Sequence, residues 1–231
     1  MTPIPIVALD VSSTEEALAL VDELGDGCRF YKVGGELFTA CGPAVVRALR
    51  DRGVDVFLDL KFHDIPNTVA GAVRSAVTMG ARLVTVHAAG GEAMLRAAVT
   101  AAGDPATCGI LVVTVLTSLS AAQLGTVWGR SDPPAVSDEV LRLAGLARDA
   151  GAHGVVCSGS EAAAVKTRFG SSLATLVPGI RLAGGATHDQ ARVVTPGEAA
   201  AAGARYIVLG RAVTAAPDRA AAMREVRAQL R

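Results

Sequence analysis

The run Phe57-Leu58-Asp59-Leu60-Lys61-Phe62-His63-Asp64-Ile65-Pro66-Asn67-Thr68 carries three charged side chains, Asp59, Lys61 and Asp64, to the point where an apolar strand runs out. Val54, Val56, Leu58 and Leu60 read as that strand. Alternate residues of a strand point the same way, so Asp59 and Lys61 are expected to share a face, with Asp64 just beyond in the loop. A charge in apolar surroundings is costly unless it is paired. Two acids around one ammonium therefore point to a site that handles charge and protons.

Seven further apolar runs flank this one: Pro5–Asp10, Arg29–Gly34, Arg82–Ala88, Gly109–Thr117, Gly154–Ser158, Ala174–Ile180 and Arg205–Gly210. Between them lie Ala/Leu-rich stretches at helical spacing, including Glu15–Leu24, Pro43–Arg50, Thr68–Met79, Gly91–Ala102, Asp138–Ala150 and Glu161–Phe169. Strands alternating with helices make βα units and a parallel sheet. Eight of them in 231 residues predict an α/β fold of the (β/α)8 TIM-barrel type, one domain over residues 1–231, with a doubly wound open sheet as the alternative. Ser13 and Glu16 form a predicted capping box after the first strand. Gly80, Gly151 and Gly203, each between small or apolar residues ahead of a strand, read as helix C-terminal glycines. The longest irregular stretches, Gly125–Ser137 and Leu182–Gln190, follow the fifth and seventh strands, which in a barrel places both on the catalytic pole.

Composition narrows the function. Hydrophobic residues make up 51 % and charged residues 19 %, enough for a large core. The formal net charge is zero, which argues against a polybasic nucleic-acid or membrane-surface protein. No apolar run reaches the roughly 18 residues of a membrane span, and the start lacks the pattern of a signal peptide. The four cysteines, Cys28, Cys41, Cys108 and Cys157, form no CxxC pair and read as reduced thiols of a cytoplasmic protein.

Polar residues gather at the same end of successive strands: Asp10, Lys32, the Asp59/Lys61/Asp64 group, His87, Thr117-Ser118, Arg181, and Gly210-Arg211. Each has a plain structural reading when taken alone. Asp10 could cap a helix, Lys32 could reach the surface, and His87 reads better as a hydrogen-bonded barrel residue. His63 is expected to face away from the site, and His153 and His188 to lie on the surface. No histidine shows metal-ligand spacing, so no metal is expected. Pro178-Gly179-Ile180-Arg181 and Val208-Leu209-Gly210-Arg211 suggest a phosphate site after strands seven and eight.

These residues, in order, resemble the orotidine 5′-phosphate decarboxylase family. The match runs through Ala8-Leu9-Asp10, Lys32-Val33-Gly34-x-Glu36-Leu37-Phe38, Asp59-x-Lys61-x-x-Asp64-Ile65-Pro66-Asn67-Thr68 and Val86-His87-Ala88-x-Gly90-Gly91. It continues through Leu116-Thr117-Ser118, Pro178–Arg181, Asp189-Gln190-x-Arg192-Val193-x-Thr195-Pro196 and Gly210-Arg211. The resemblance implies a homodimeric barrel that converts orotidine 5′-monophosphate to uridine 5′-monophosphate and carbon dioxide with no cofactor. It implies Lys61 as proton donor to carbon 6, within a charged network of Lys32, Asp59 and Asp64, Asp64 reaching in from the other subunit. It also implies Asp10, Lys32 and Thr68 at the ribose, Thr68 across the dimer interface, and Thr117 and Ser118 at the pyrimidine. Arg181, Gln190, Gly210 and Arg211 would hold the phosphate. The lid Leu182–His188 is poor in charge, which departs from the rest. Two rivals are a magnesium-dependent sugar-phosphate lyase with the same Asp-x-Lys-x-x-Asp, which would want a carboxylate in place of Lys32, and a barrel that only binds a nucleotide.

Overall fold

The computed structural model describes residues 2–132, 135–182 and 193–230. Eight parallel strands close into a barrel in sequence order: β1 (Ile4–Ala8), β2 (Phe30–Gly34), β3 (Asp55–Phe62), β4 (Leu83–His87), β5 (Gly109–Val113), β6 (Gly154–Val156), β7 (Ala174–Val177) and β8 (Tyr206–Leu209). β1 pairs with both β2 and β8, so no edge is left open and the open-sheet alternative falls. The helices are α1 (Thr14–Leu24), α2 (Gly35–Cys41), α3 (Pro43–Asp51), α4 (Pro66–Thr78), α5 (Gly91–Ala102), α6 (Ala121–Val127), α7 (Val136–Asp149), α8 (Gly159–Phe169), α9 (Pro196–Ala201), α10 (Arg211–Thr214) and α11 (Arg219–Gln229).

Strand alternation sorts the apolar residues into two cores. Ile6, Ala8, Phe30, Phe57, Leu83, Leu111, Leu176, Tyr206 and Val208 fill the barrel interior. Their neighbours, such as Val7, Leu9, Val56, Leu58, Val84 and Val112, face outward into the helix layer. With aromatics at 3 %, this outer layer is built mostly of Ala, Val and Leu, whose close fit needs small residues at contacts.

Several local expectations hold. Gly80, Gly151 and Gly203 all sit at φ near +80°, the left-handed conformation that ends a helix. None of the four cysteines is in a disulfide, and three of them are buried. Others shift. The Ser13 hydroxyl accepts from Glu16 N at 3.2 Å, but Glu16 reaches back to Ser12 N, so the box is not reciprocal. β5 and β7 end at Val113 and Val177, before Thr117 and Ile180, where their last ladder pairs are His87–Val113 and Val177–Ile207. The Gly125–Ser137 stretch begins inside α6 and ends inside α7, and α6 carries a full capping box at Ser120 and Gln123. His153 is not a surface residue. It is half-buried between β6 and Tyr206, whose hydroxyl lies 3.0 Å from its Nε2. Burial, with the charges of Arg82 and Arg205, pushes its pKa down.

Candidate active site

The catalytic pole of the barrel opens into a cavity of about 450 Å³. Its floor is the apolar interior: Ala8, Phe57, Val113, Val156, Leu176 and Val208. Its rim is polar and drawn from the strand ends and the loops after them. Asp10 and Lys32 stand on one side, Asp59 and Lys61 beside them, Thr117 and Ser118 past β5, Arg181 past β7, and Gly210 and Arg211 past β8. Nine of the residues singled out in the sequence thus line one cavity. A largely apolar pocket with few convergent polar groups suits a small molecule with charged ends.

Two ion pairs define the charged side. Lys32 Nζ lies 3.0 Å from Asp10 Oδ1, the lysine side chain 13 % exposed and the aspartate 58 %. Gly34, next on that face of β2, leaves space for the ammonium: a Cβ there would stand 2.9 Å from Lys32 Nζ. Lys61 Nζ lies 2.9 Å from both Asp59 oxygens. Here the aspartate is the protected partner, 13 % exposed against 40 % for the lysine. Both line the cavity, the ammonium as the more open partner and its counter-ion as the more enclosed one.

The shared face of Asp59 and Lys61 is not made by plain strand geometry. The β3/β4 register shifts between Leu58 and Phe62. Lys61 has φ +50°, unique among the described non-glycine residues. A bulge re-aims side chains in this way, and a left-handed lysine persists only where its surroundings hold it. Thr85 of β4 is one such hold, and sequence reading missed it. Its hydroxyl donates to Asp59 Oδ1 at 3.0 Å and accepts from Lys61 N at 2.9 Å. The available signal was one threonine inside an apolar run, which strand propensity alone explains equally well.

Other candidates are not brought to this cavity. Asp64, on the β3–α4 connection, and Thr68, in the first turn of α4, are exposed, and neither lines it. Asp64 Oδ1 instead accepts from Ile65 N at 2.6 Å, and Ile65 beside it is 67 % exposed. Gln190, with most of the Leu182–Gln190 lid and with His188, Asp189 and Arg192, lies outside the described residues. Arg181 is nearly buried, and its guanidinium donates to Ile180 O at 2.8 Å. His63 is exposed and outside the cavity, as expected. His87 makes no side-chain hydrogen bond among the described residues, contrary to expectation. Its ring stands 5.5 Å from that of His63. Burial, then the charges of His63 and Lys61, lower its pKa, which keeps another cation away from the lysine. No cluster of three metal-ligating side chains occurs among the described residues.

Comparison with known proteins gives the family. Residues 3–226 match the model of the orotidine 5′-phosphate decarboxylase / HUMPS family. A relative from Halorhodospira halophila, named orotidine 5′-phosphate decarboxylase, is 50 % identical over 227 residues, covering 97 % of this chain and 94 % of its own. One of the same name from an Anaeromyxobacter species is 55 % identical over 214 residues, covering 93 % and 90 %. The crystal structure of orotidine 5′-phosphate decarboxylase from Lactobacillus acidophilus superposes with a TM-score of 0.86 at 36 % identity, covering 100 % of this chain and 99 % of that one. By fold, by the residues at the strand ends and by similarity over nearly its whole length, this chain belongs to the orotidine 5′-phosphate decarboxylase family.

Proposed function

We propose that this protein decarboxylates orotidine 5′-monophosphate to uridine 5′-monophosphate, the last step of de novo pyrimidine nucleotide synthesis, without a cofactor, and that Lys61 supplies the proton. The observation that carries the reading is the Lys61 ammonium, held 2.9 Å from both oxygens of a protected Asp59 at the wall of a cavity whose other side presents Arg181 and Arg211. The polarity of a nucleotide fits that lining: an anionic phosphate at the arginines, a pyrimidine at Thr117 and Ser118, and the reacting carbon at the lysine.

In this reading the bond between carbon 6 and the carboxylate breaks, its electron pair stays on carbon 6, and carbon dioxide leaves. No ring system delocalises that pair. A fixed ammonium alongside stabilises the developing charge and then transfers its proton to carbon 6, and solvent reprotonates the resulting amine to the ammonium. Asp59 holds the ammonium in place before substrate arrives, so little reorganisation is left for the transition state. Asp10 and Lys32 take the ribose hydroxyls. Arg181, Gln190, the Gly210 backbone and Arg211 take the phosphate through charge-assisted hydrogen bonds. The phosphate is remote from the reacting bond, so its binding energy is available to organise the charges around the scissile carboxylate.

The reading extends to a homodimer with shared sites. Asp64, Thr68 and the exposed Ile65 form a surface that one chain leaves open, and a second copy would bring Asp64 to the neighbour's Lys61 and Thr68 to its ribose. No described helix is long and apolar enough to cross a membrane. Loss of orotidine 5′-monophosphate absorbance, followed in chelator, tests the activity. Lys61→Ala should fold normally and lose nearly all turnover; substantial residual turnover would remove Lys61 as the proton donor. Mixed Lys61→Ala and Asp64→Ala dimers should regain activity, and their failure to do so would remove Asp64 from the neighbouring site.

A further inference from the structure

Thr85 sits midway along β4, in Leu83-Val84-Thr85-Val86-His87, and is fully buried. A buried hydroxyl must find partners, and this one finds two on the catalytic strand. It donates its single proton to Asp59 Oδ1 at 3.0 Å. That commitment leaves its lone pairs for Lys61 N at 2.9 Å. Both bonds fall inside the stretch where the β3/β4 register shifts. There the Lys61 N–H is received by a side-chain hydroxyl.

The two bonds answer two separate demands of the site. Lys61 at φ +50° holds a backbone conformation that side-chain-bearing residues rarely adopt, and a specific acceptor for its N–H helps to keep it there. Asp59 has two oxygens on the same ammonium, and a carboxylate so used can still rotate about its terminal torsion. The hydroxyl on Oδ1 removes that freedom. One side chain from the neighbouring strand therefore fixes both the carboxylate plane and the backbone from which the ammonium projects. We propose that Thr85 is a positioning residue of the active site, whose hydroxyl sets the aim of the Asp59–Lys61 pair without touching substrate. This rests on the proposed role of Lys61.

The test compares Thr85→Val, which keeps the shape and removes the hydroxyl, with Thr85→Ser, which keeps the hydroxyl. Misplacement of a reacting group by about 1 Å costs on the order of 100-fold in rate. Thr85→Val should lower kcat by roughly 10- to 100-fold, while KM for orotidine 5′-monophosphate and binding of uridine 5′-monophosphate stay near the native values. Thr85→Ser should recover most of kcat. If Thr85→Val turns over at the native rate, or if Thr85→Ser is as slow as Thr85→Val, the inference is overturned. Equal losses in product binding and kcat would also overturn it, since they mark general damage to the pocket. Should the valine variant fail to fold, Thr85→Ala against Thr85→Ser isolates the same hydroxyl. Lys61→Ala is the control: turnover without the lysine defeats the underlying reading, whereas an inactive Lys61→Ala beside a fully active Thr85→Val defeats only the role of Thr85.

Discussion

Gly154→Ala is expected to loosen the barrel wall behind the active site. Gly154 opens β6 and is paired with Ala174 of β7. A Cβ at this position would stand 2.4 Å from the Ala174 carbonyl oxygen and 3.0 Å from the Ala174 carbonyl carbon and Cβ. Non-bonded heavy atoms reach their optimum at about 3.5–4.0 Å, so the strands must part locally by roughly 1 Å. The obstruction is backbone, not the end of a flexible side chain, and it lies in a ladder that continues through Val155–Thr175 and Val156–Leu176. Overpacking a well-filled interior costs typically 1–3 kcal/mol, and a rigid obstacle places this case at about 3 kcal/mol. For a chain of this size that corresponds to a fall in Tm of about 6–12 °C. Val156 and Leu176 line the cavity, so the displacement should also weaken substrate binding. Urea and thermal unfolding of the two proteins, with KM measured on each, provide the assay. A Gly154→Ala protein as stable as the native one, with unchanged KM, would refute the close approach of β6 and β7 and the packing argument built on it.

Two further predictions concern charge. Gly34→Ala should leave stability nearly unchanged, because the Cβ meets only the mobile end of Lys32, yet lower activity by moving that ammonium off Asp10; a fully active variant would remove this constraint on Lys32. His87 and His153 are both held neutral in the fold by burial, with pKa values below the ordinary 6.5. In the window between the folded pKa and 6.5 the unfolded chain binds more protons, so stability rises with pH there. Their full contribution is present above 6.5 and is lost as pH falls through the folded values. Urea midpoints should therefore drop on acidification below pH 6.5, and His153→Gln, which can still hydrogen-bond Tyr206, should flatten the slope. A midpoint that is level or rises on acidification would contradict the assignment.

The fold was legible because each βα unit states its own periodicity. The eight apolar runs each overlap a strand, and Gly80, Gly151 and Gly203 mark helix ends in left-handed conformation. The gathering of Asp10, Lys32, Asp59, Lys61, Thr117, Ser118, Arg181, Gly210 and Arg211 was legible for the same reason: in a parallel barrel every strand end faces one pole. Short or polar-rimmed helices were harder. α2 starts directly after β2 with Gly35, and α6 lies between a loop and a Gly-Pro-rich stretch, so neither offers two clean turns of apolar spacing. His153 was misplaced because its burial depends on Tyr206, more than fifty residues away.

What the sequence by itself determined is the barrel, the residues at its catalytic pole and, through their order, the family. These follow from local patterns: period-two and helical spacing, turn glycines, and charged groups at strand ends. What only the tertiary structure decided is how the Asp59–Lys61 pair is aimed. Alternation along β3 predicts a shared face, but it is the register shift against β4, the left-handed Lys61 backbone and the Thr85 hydroxyl that set the geometry of the pair. Those are contacts between strands 24 and 26 residues apart in the chain. Their energy depends on distances that neither strand's own sequence contains, which is why a lone threonine in an apolar run gave no sign of where its hydroxyl would go.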